Sequence, residues 1–389
     1  MINIKRKLDL SQILQETSCF LFGPRGSGKS SLIPEGQRWK LPHRHIALQD
    51  PETFMKFIRD PDGALRDYFS KCCSTAGTVV VIDDIHRLPA LLDAAYRLSD
   101  SSNARFLFVT SSKHKLLRNG GRLRPGCITR TLHPLSANEI GAGNFDLEKA
   151  LEHGLLPAEY NRPCNEDAGV TAYVSRYLQE EIAQSAGAGN IPGFYRLLIA
   201  IGKRNGELIN YTDLATQAGL PRTTVQEYVR TILATGMAYE LPAWTQRTRS
   251  KAIRTSKIYL FDTGVARYLQ MQDPHASPSA NRAAPFQHWV LHELRCFVDA
   301  LPSETPLNHW RSTGGHSVDF ILNSKTAIAV NGTLQAGKQE LRGLCALRKE
   351  GLLTRYLLVC REPEARTVDG IEILPYAEFV KQLWGGELV

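Results

Sequence analysis

Gly23-Pro24-Arg25-Gly26-Ser27-Gly28-Lys29-Ser30, entered from the apolar run Cys19-Phe20-Leu21-Phe22 and left through Ser31-Leu32-Ile33, sets the architecture of the amino-terminal third of this chain. It satisfies G-x-x-x-x-G-K-[ST] at every position. A short buried-type strand, a glycine-rich turn and the start of a helix form the context in which that spacing has a physical meaning. The glycines let successive N–H groups close around phosphate oxygens, and the positive end of the helix adds to the same cradle. Lys29 is then the residue that reaches the β- and γ-phosphates, and the Ser30 hydroxyl a ligand for Mg²⁺. Gly23, Pro24, Arg25, Gly26, Ser27, Gly28, Lys29, Ser30 and Ser31 are the candidate nucleotide-binding residues.

Further along, Thr78-Val79-Val80-Val81-Ile82 is too short and too β-branched for a helix, and reads as a parallel strand buried on both faces. It ends in Asp83-Asp84. Asp83 at the carboxyl edge would hold Mg²⁺ through water, and Asp84 would face the γ-phosphate and its attacking water. Most hydrolysing proteins with this arrangement place Glu at the second position. Asp is one methylene shorter, and misplacing a catalytic group by about 1 Å can cost on the order of 100-fold. Slow hydrolysis, or an ATP-binding switch, follows as an expectation.

Around these two motifs, residues 8–140 alternate strand and helix. His45-Ile46-Ala47-Leu48, Arg105-Phe106-Leu107-Phe108-Val109-Thr110 and Ile128-Thr129-Arg130-Thr131-Leu132 are the other strands, and 53–71 is a helix with apolar residues at Phe54, Phe57, Ile58, Leu65 and Phe69. Such alternation implies a parallel sheet with the ligand at the strands' carboxyl ends. Thr110 and Ser111 then lie in the crevice with Lys29 and Asp83, where a hydroxyl senses the γ-phosphate or caps the next helix. A cluster of Lys113, Lys115, Arg118, Arg122, Arg124 and Arg130 follows. One of these is an arginine finger for a neighbouring subunit, or all form a solvated basic face.

The chain has 389 residues, 43% hydrophobic, enough for two or three domains with real cores. Its formal charge of +8 permits nucleic-acid or other anionic partners without requiring them. No window approaches the roughly 18 apolar residues of a membrane span, and the start of the chain has no signal-peptide core, so a soluble, cytoplasmic protein is expected. Eight cysteines are scattered without a C-x-x-C pair, which suits free thiols rather than a disulfide framework or zinc site.

From 207 the pattern changes. Leu208–Ala215 begins one helix, Gly219-Leu220-Pro221 turns, and Arg222–Val229 begins a second, a helix-turn-helix order. The strand-like runs Ala238–Leu241 and Lys257–Phe261 flank a loop with Arg247, Arg249, Lys251 and Arg254, giving a winged helix with a basic wing. Arg222 and the four wing residues are candidates for phosphate contacts on DNA. A rigid spacer or protein-contact module is the alternative.

The order of parts, with Val80-Val81-Ile82-Asp83-Asp84-Ile85-His86-Arg87-Leu88-Pro89, Gly121-Arg122, His133–Ile140, Tyr177–Ile182 and Lys257–Val265, resembles a family of prokaryotic AAA+ ATPases with a carboxyl-terminal restriction-endonuclease-like domain. The resemblance implies a P-loop AAA+ α/β core over 1–140 and a helical lid over 141–205. A winged helix over 206–271, a linker over 272–285 and a nuclease-like α/β domain over 286–389 follow. It makes Arg122 the natural arginine finger. In the family's nuclease module a helix Glu, a strand Asp and a Glu-x-Lys bind metal and activate water. Here Glu293 and Asp319 match the first two, while Ala329 and Asn331 stand where the third requires Glu and Lys. An inactive nuclease fold kept as a platform is the expectation. ATP and Mg²⁺ are the implied cofactors, and a homo-oligomer, DNA, and a protein bound by the carboxyl-terminal domain are the possible partners.

Overall fold

The computed structural model describes residues 4–33, 42–72, 77–102, 104–161, 168–179, 190–246, 252–272 and 283–389. The chain divides into two compact units, one comprising Lys5–Pro134 and Ala234–Gly236, the other Met1–Ile4, Leu135–Leu233 and Met237–Val389.

In the first unit, β1 (Cys19–Phe22), β2 (His43–Ala47), β3 (Val79–Asp83), β4 (Arg105–Thr110) and β5 (Ile128–Thr131) form one sheet in the order β2-β3-β4-β1-β5, every pairing parallel. The apolar runs explain why both faces are covered. Phe20, Phe22, Val80, Ile82, Phe106 and Phe108 point to one core, and Cys19, Leu21, Val79, Val81, Leu107 and Val109 to the other. Phe20 and Phe108 stack at 4.8 Å on the first face, where α5 (Ala90–Ser102) packs; α1 (Ser11–Glu16) supplies Leu14 to the second. The remaining helices are α2 (Lys29–Leu32), α3 (Pro51–Arg59), α4 (Pro61–Cys72) and α6 (Lys113–Arg118). The helix expected over 53–71 is therefore two. Pro61 has no N–H to continue the first, and the Asp60 carboxylate instead accepts from Gly63 N at 2.9 Å.

The second unit opens with α7 (Ala137–Ile140), α8 (Leu147–His153), α9 (Pro157–Tyr160), α10 (Ala168–Tyr177) and α11 (Ile191–Lys203). These helices belong to the compact unit that takes up the chain from Leu135. Ala137, Ile140, Leu147 and Leu151 share a core with Trp289 and Leu294, whereas Val174, Phe194 and Leu198 share one with Val225, Val229 and Leu260. Asp262 ties the two together. Buried, it caps α14 (Thr263–Met271) through Val265 N and also accepts from Leu155 N at 2.7 Å; burial raises its carboxyl to about 6.

Next come α12 (Tyr211–Ala218), α13 (Arg222–Ala234) and the antiparallel pair β6 (Ala238–Leu241) and β7 (Lys257–Leu260). The first of these helices starts later than the sequence suggested because Asn210 caps it through Thr212 N and Asp213 N, leaving Leu208 to bridge Lys257 as an isolated strand residue. The expected linker falls mostly on 273–282, outside the described residues.

The final part is α15 (Ala283–Ala300), then β8 (Leu307–Arg311), β9 (Ser317–Leu322) and β10 (Thr326–Val330), α16 (Arg342–Arg348), β11 (Arg355–Cys360), β12 (Arg366–Val368), β13 (Ile371–Pro375) and α17 (Tyr376–Trp384). The six strands run in the order β12-β13-β11-β10-β9-β8. Between β8 and β9 the register slips: Asn308 pairs with Ile321 but Trp310 with Val318, which places a bulge beside Asp319. Among the described residues no helix is long and apolar enough to cross a membrane.

Candidate functional site

β1 runs straight into Gly23, where a side chain is impossible because a Cβ would meet Leu132 O at 2.4 Å. Gly26 (φ 74°) and Gly28 (φ 91°) then take left-handed backbone that other residues rarely adopt. The turn delivers Lys29 and Ser30 to the first positions of α2. Lys29 is buried, its Nζ donating to Gly23 O at 2.8 Å and Pro24 O at 2.9 Å, so the ammonium lies within the loop's own curve. Ser27 is also buried, and its Oγ has no hydrogen-bond partner among the described residues. Arg25 is half-buried, and Ser31 Oγ donates to Gly28 O at 2.8 Å, a local turn contact.

The loop has a brace that sequence reading missed. Arg6 donates to Ser27 O at 2.5 Å and to His133 O at 2.6 Å, clamping the phosphate loop to the chain after β5. Met1-Ile2-Asn3-Ile4-Lys5-Arg6-Lys7 reads only as a charged stretch without a signal-peptide core, and no local signal marks Arg6, whose partners are remote in sequence.

Ser30 Oγ donates to Asp83 Oδ2 at 3.3 Å, which brings the hydroxyl of the loop and the acid of β3 into one polar contact. Burial, and then the neighbouring Asp84, raise the Asp83 carboxyl above its ordinary range. His45 stands 3.9 Å away on the other side. A buried acid of raised pKa beside a hydroxyl is a donor set suited to a hard cation, whose charge would offset that burial.

Asp84 adopts φ 56°, a left-handed conformation costly for a residue with a side chain, and its N–H donates to Asp83 Oδ1 at 3.0 Å. Its carboxylate is 3.9 Å from His86 Nδ1, and the same nitrogen lies 2.9 Å from Thr110 Oγ1. Thr110 is fully buried and also accepts from Ser112 N at 3.1 Å. Of the two candidate sensors, Thr110 is thus engaged within the fold, and half-buried Ser111 is the one whose hydroxyl has no partner among the described residues. Arg122 is exposed, with its carbonyl held by Tyr96 Oη at 2.8 Å, while Arg124 pairs with Asp100 at 2.7 Å.

In the second unit Glu293 and Asp319, the two acids that match the nuclease module, have separate partners. Glu293 is fully buried, accepting from Ala137 N at 2.7 Å and from Trp384 Nε1 at 3.4 Å; burial pushes its carboxyl up to about 8. The α15 residue facing Asp319 is Gln287, nearly two turns earlier, whose amide donates to Asp319 Oδ1. Asp319 also accepts from Val330 N at 2.8 Å and lies 3.8 Å from Lys257 Nζ. Ala329 packs in the apolar core, and Asn331 bonds Thr333 Oγ1 at 2.7 Å. Glu293 fits the helix-Glu role by residue type, and only the tertiary pairing exposes Gln287 as the neighbour of Asp319. Arg222 and Arg254 are exposed, and Arg247, Arg249 and Lys251 lie outside the described residues.

Comparison with known proteins agrees with the geometry of the first unit. Residues 15–141 match the model of an AAA domain, and residues 144–276 that of a domain of unknown function (DUF8612). Uncharacterized proteins of Mycobacterium tuberculosis and Mycobacterium bovis are each 24% identical over 308 residues, which is 77% of this chain and 66% of theirs. The chain thus spans 66% of the length of these curated relatives. An ATPase family protein 2 homolog of Caenorhabditis elegans is 28% identical over 130 residues, 29% of this chain and 18% of its own. Among solved structures, a signal transduction ATPase with a tetratricopeptide repeat sensor from Pyrococcus horikoshii overlays with a TM-score of 0.27 at 13% identity, covering 77% of this chain and 48% of that one. PCH-2 of C. elegans overlays at 0.23 and 16%, covering 57% and 63%. Neither overlay carries an argument about this chain.

Proposed function

We propose that the AAA domain binds ATP with Mg²⁺ and hydrolyses it slowly to drive or gate an assembly or a partner interaction. The contact that carries this reading is Ser30 Oγ to Asp83 Oδ2 at 3.3 Å, since it joins the two groups the chemistry needs at one point. Lys29 would draw charge from the γ-phosphoryl group, and Ser30 and Asp83 would hold the cation. When bound, Mg²⁺ neutralises charge shared between the β- and γ-phosphates. Asp84 would orient the attacking water, Ser111 would read the γ-phosphate, and Arg122 would act on the site of a second copy of the chain.

A second reading, an ATP-gated nucleic-acid-binding regulator with negligible turnover, is favoured by Asp84. Its side chain is short, its backbone left-handed, and its carboxylate already close to His86. In that reading α12 and α13 with β6 and β7 form a winged helix that contacts DNA. The carboxyl-terminal six-stranded sheet is a nuclease-like fold without hydrolytic chemistry, a platform for a protein partner. Support for its inactivity is that Gln287 is the α15 side chain bonded to Asp319, and that Ala329 and Asn331 stand where the resembled nuclease module has Glu and Lys.

Steady-state ATP turnover of wild type, Lys29→Ala and Asp84→Glu, with and without duplex DNA, tests both. Turnover removed by Lys29→Ala supports the first. ATP binding without turnover, with hydrolysis gained in Asp84→Glu, supports the second, and a wild type that binds no ATP removes both.

A further inference from the structure

The second unit contains a cleft of about 670 Å³ whose walls come from four segments distant in sequence. The turn before α12 contributes Arg204 and Asn210, the start of α13 contributes Arg222, and β7 with the end of β8 contributes Lys257 and Arg311. The cleft is not an accident of one loop. The chain between β6 and β7 adds to the edge of β8 at both ends of that connection, Trp244 N donating to His309 O at 2.7 Å and Ile253 N to Arg311 O at 2.8 Å, so Arg311 is brought to the cleft by backbone pairing.

Charge in this cleft is only partly compensated. Arg204 is paired with Glu207, at 2.7 Å, and with Asp213, and Lys257 is 3.8 Å from Asp319. Arg222 and Arg311 are exposed and have no side-chain partner among the described residues. Glu207 is the acid that lines the cleft against these four cations. The excess is felt nearby: His309, buried beside the cleft, is held down to about 4, first by burial and then by Lys257, with Arg311 adding to it. Arg222 opens a helix of 13 residues, so the positive end of that helix lies on the same side. Arg254, exposed, precedes Thr255 in the wall.

We infer that this cleft binds consecutive phosphates of a polynucleotide backbone, with Arg222 and Arg311 as the two contacts that neutralise them. The assignment deepens the nucleic-acid reading above. It adds a wall from the six-stranded sheet to the helix-turn-helix surface, which the basic loop alone would not supply. Guanidinium groups suit phosphate because their donors form a fixed fork. Free nucleotide is the other source of the same chemistry.

The test uses the full chain, with anisotropy of a labelled DNA duplex followed across a salt series for wild type, Arg222→Ala/Arg311→Ala, and the charge reversal Arg311→Glu. Thermal melting checks that each folds; both arginines are exposed, so it should be unchanged. The double variant is expected to bind at least about tenfold more weakly, and the slope of log K against log salt to fall by about 1.8, or 0.9 for each phosphate lost. Duplex binding with wild-type affinity and slope in both variants would overturn the site while leaving nucleic-acid binding elsewhere intact. Absence of duplex binding by wild type at low salt would remove the site and the nucleic-acid reading together. ATP offered to Lys29→Ala separates the sources: no binding is expected, and binding that Arg222→Ala/Arg311→Ala removes would assign the cleft to free nucleotide instead.

Discussion

Asp83 in the first unit and Glu293 in the second are both buried carboxylates with raised pKa values, yet they do opposite things. Asp83 ends a strand beside a glycine-rich loop and meets a side-chain hydroxyl, Ser30, the pair proposed above to hold a cation. Glu293 meets a backbone N–H and an indole N–H, Ala137 and Trp384, and closes the packing of α7 and α17 around α15. Burial raises both. What distinguishes a site from a staple is whether the partners are exchangeable: a hydroxyl beside a loop of N–H groups can accept a ligand, whereas amide and indole donors inside a core have nowhere else to go.

The sharpest way to break this contrast is to neutralise each acid. Asp83→Asn is expected to lower ATP turnover on the order of 100-fold or more while leaving the unfolding midpoint within error of wild type, measured by coupled assay and urea titration. A large loss of stability with activity preserved would reverse the assignment. Glu293→Gln should do the converse, leaving turnover within about twofold and changing the pH dependence of folding. Because the Glu293 pKa rises from 4.5 to about 8 in the fold, its protonated form is the favoured one. Its contribution to stability is fully present below pH 4.5 and is lost as pH rises through about 8. A tenfold difference in proton affinity between the folded and unfolded chain is worth about 1.4 kcal/mol, so wild type should weaken by a few kcal/mol relative to Glu293→Gln across that window. Urea midpoints of the two proteins that run parallel from acid to mild alkali would contradict it.

A smaller effect sharpens the comparison within the second unit. Asp319→Asn should cost about 1–3 kcal/mol, because Val330 N and the amide of Gln287 lose a charged acceptor and Lys257 loses its ion-pair partner. ATP turnover should not change, and metal-dependent DNA cleavage that this substitution abolishes would restore a hydrolytic role to the sheet. Smallest is Arg6→Ala. Loosening the clamp on Ser27 O should weaken ATP binding about threefold to tenfold, read by fluorescent-nucleotide titration, with little change in the turnover of bound ATP.

Most of the first unit was legible because its signals are local. A phosphate loop is a run of eight residues whose backbone does the work, and Val79-Val80-Val81-Ile82 announces a strand buried on both sides by its branching alone. All five strands fall where the apolar runs place them, and the single helix expected over 53–71 breaks at Pro61, where the missing N–H is itself a local signal. Which α15 side chain stands beside Asp319 was not legible, for a different reason. Glu293 and Gln287 lie on one helix, and choosing which meets Asp319 requires the relative rotation of α15 and β9, a matter of packing between distant segments.

By itself, then, the sequence determined the order of the elements, the glycine-rich loop that delivers Lys29 and Ser30 to the start of α2, and the acid at the end of β3, because hydrogen bonding and branching act between neighbours along the chain. Tertiary structure decided which groups share space: Ser30 with Asp83, Arg6 with the loop, Gln287 instead of Glu293 with Asp319, and the cations from α13, β7 and β8 around one cleft. Those pairings depend on how far and in which direction whole elements are turned against one another, and burial gives a charged side chain its meaning only once that turn is made.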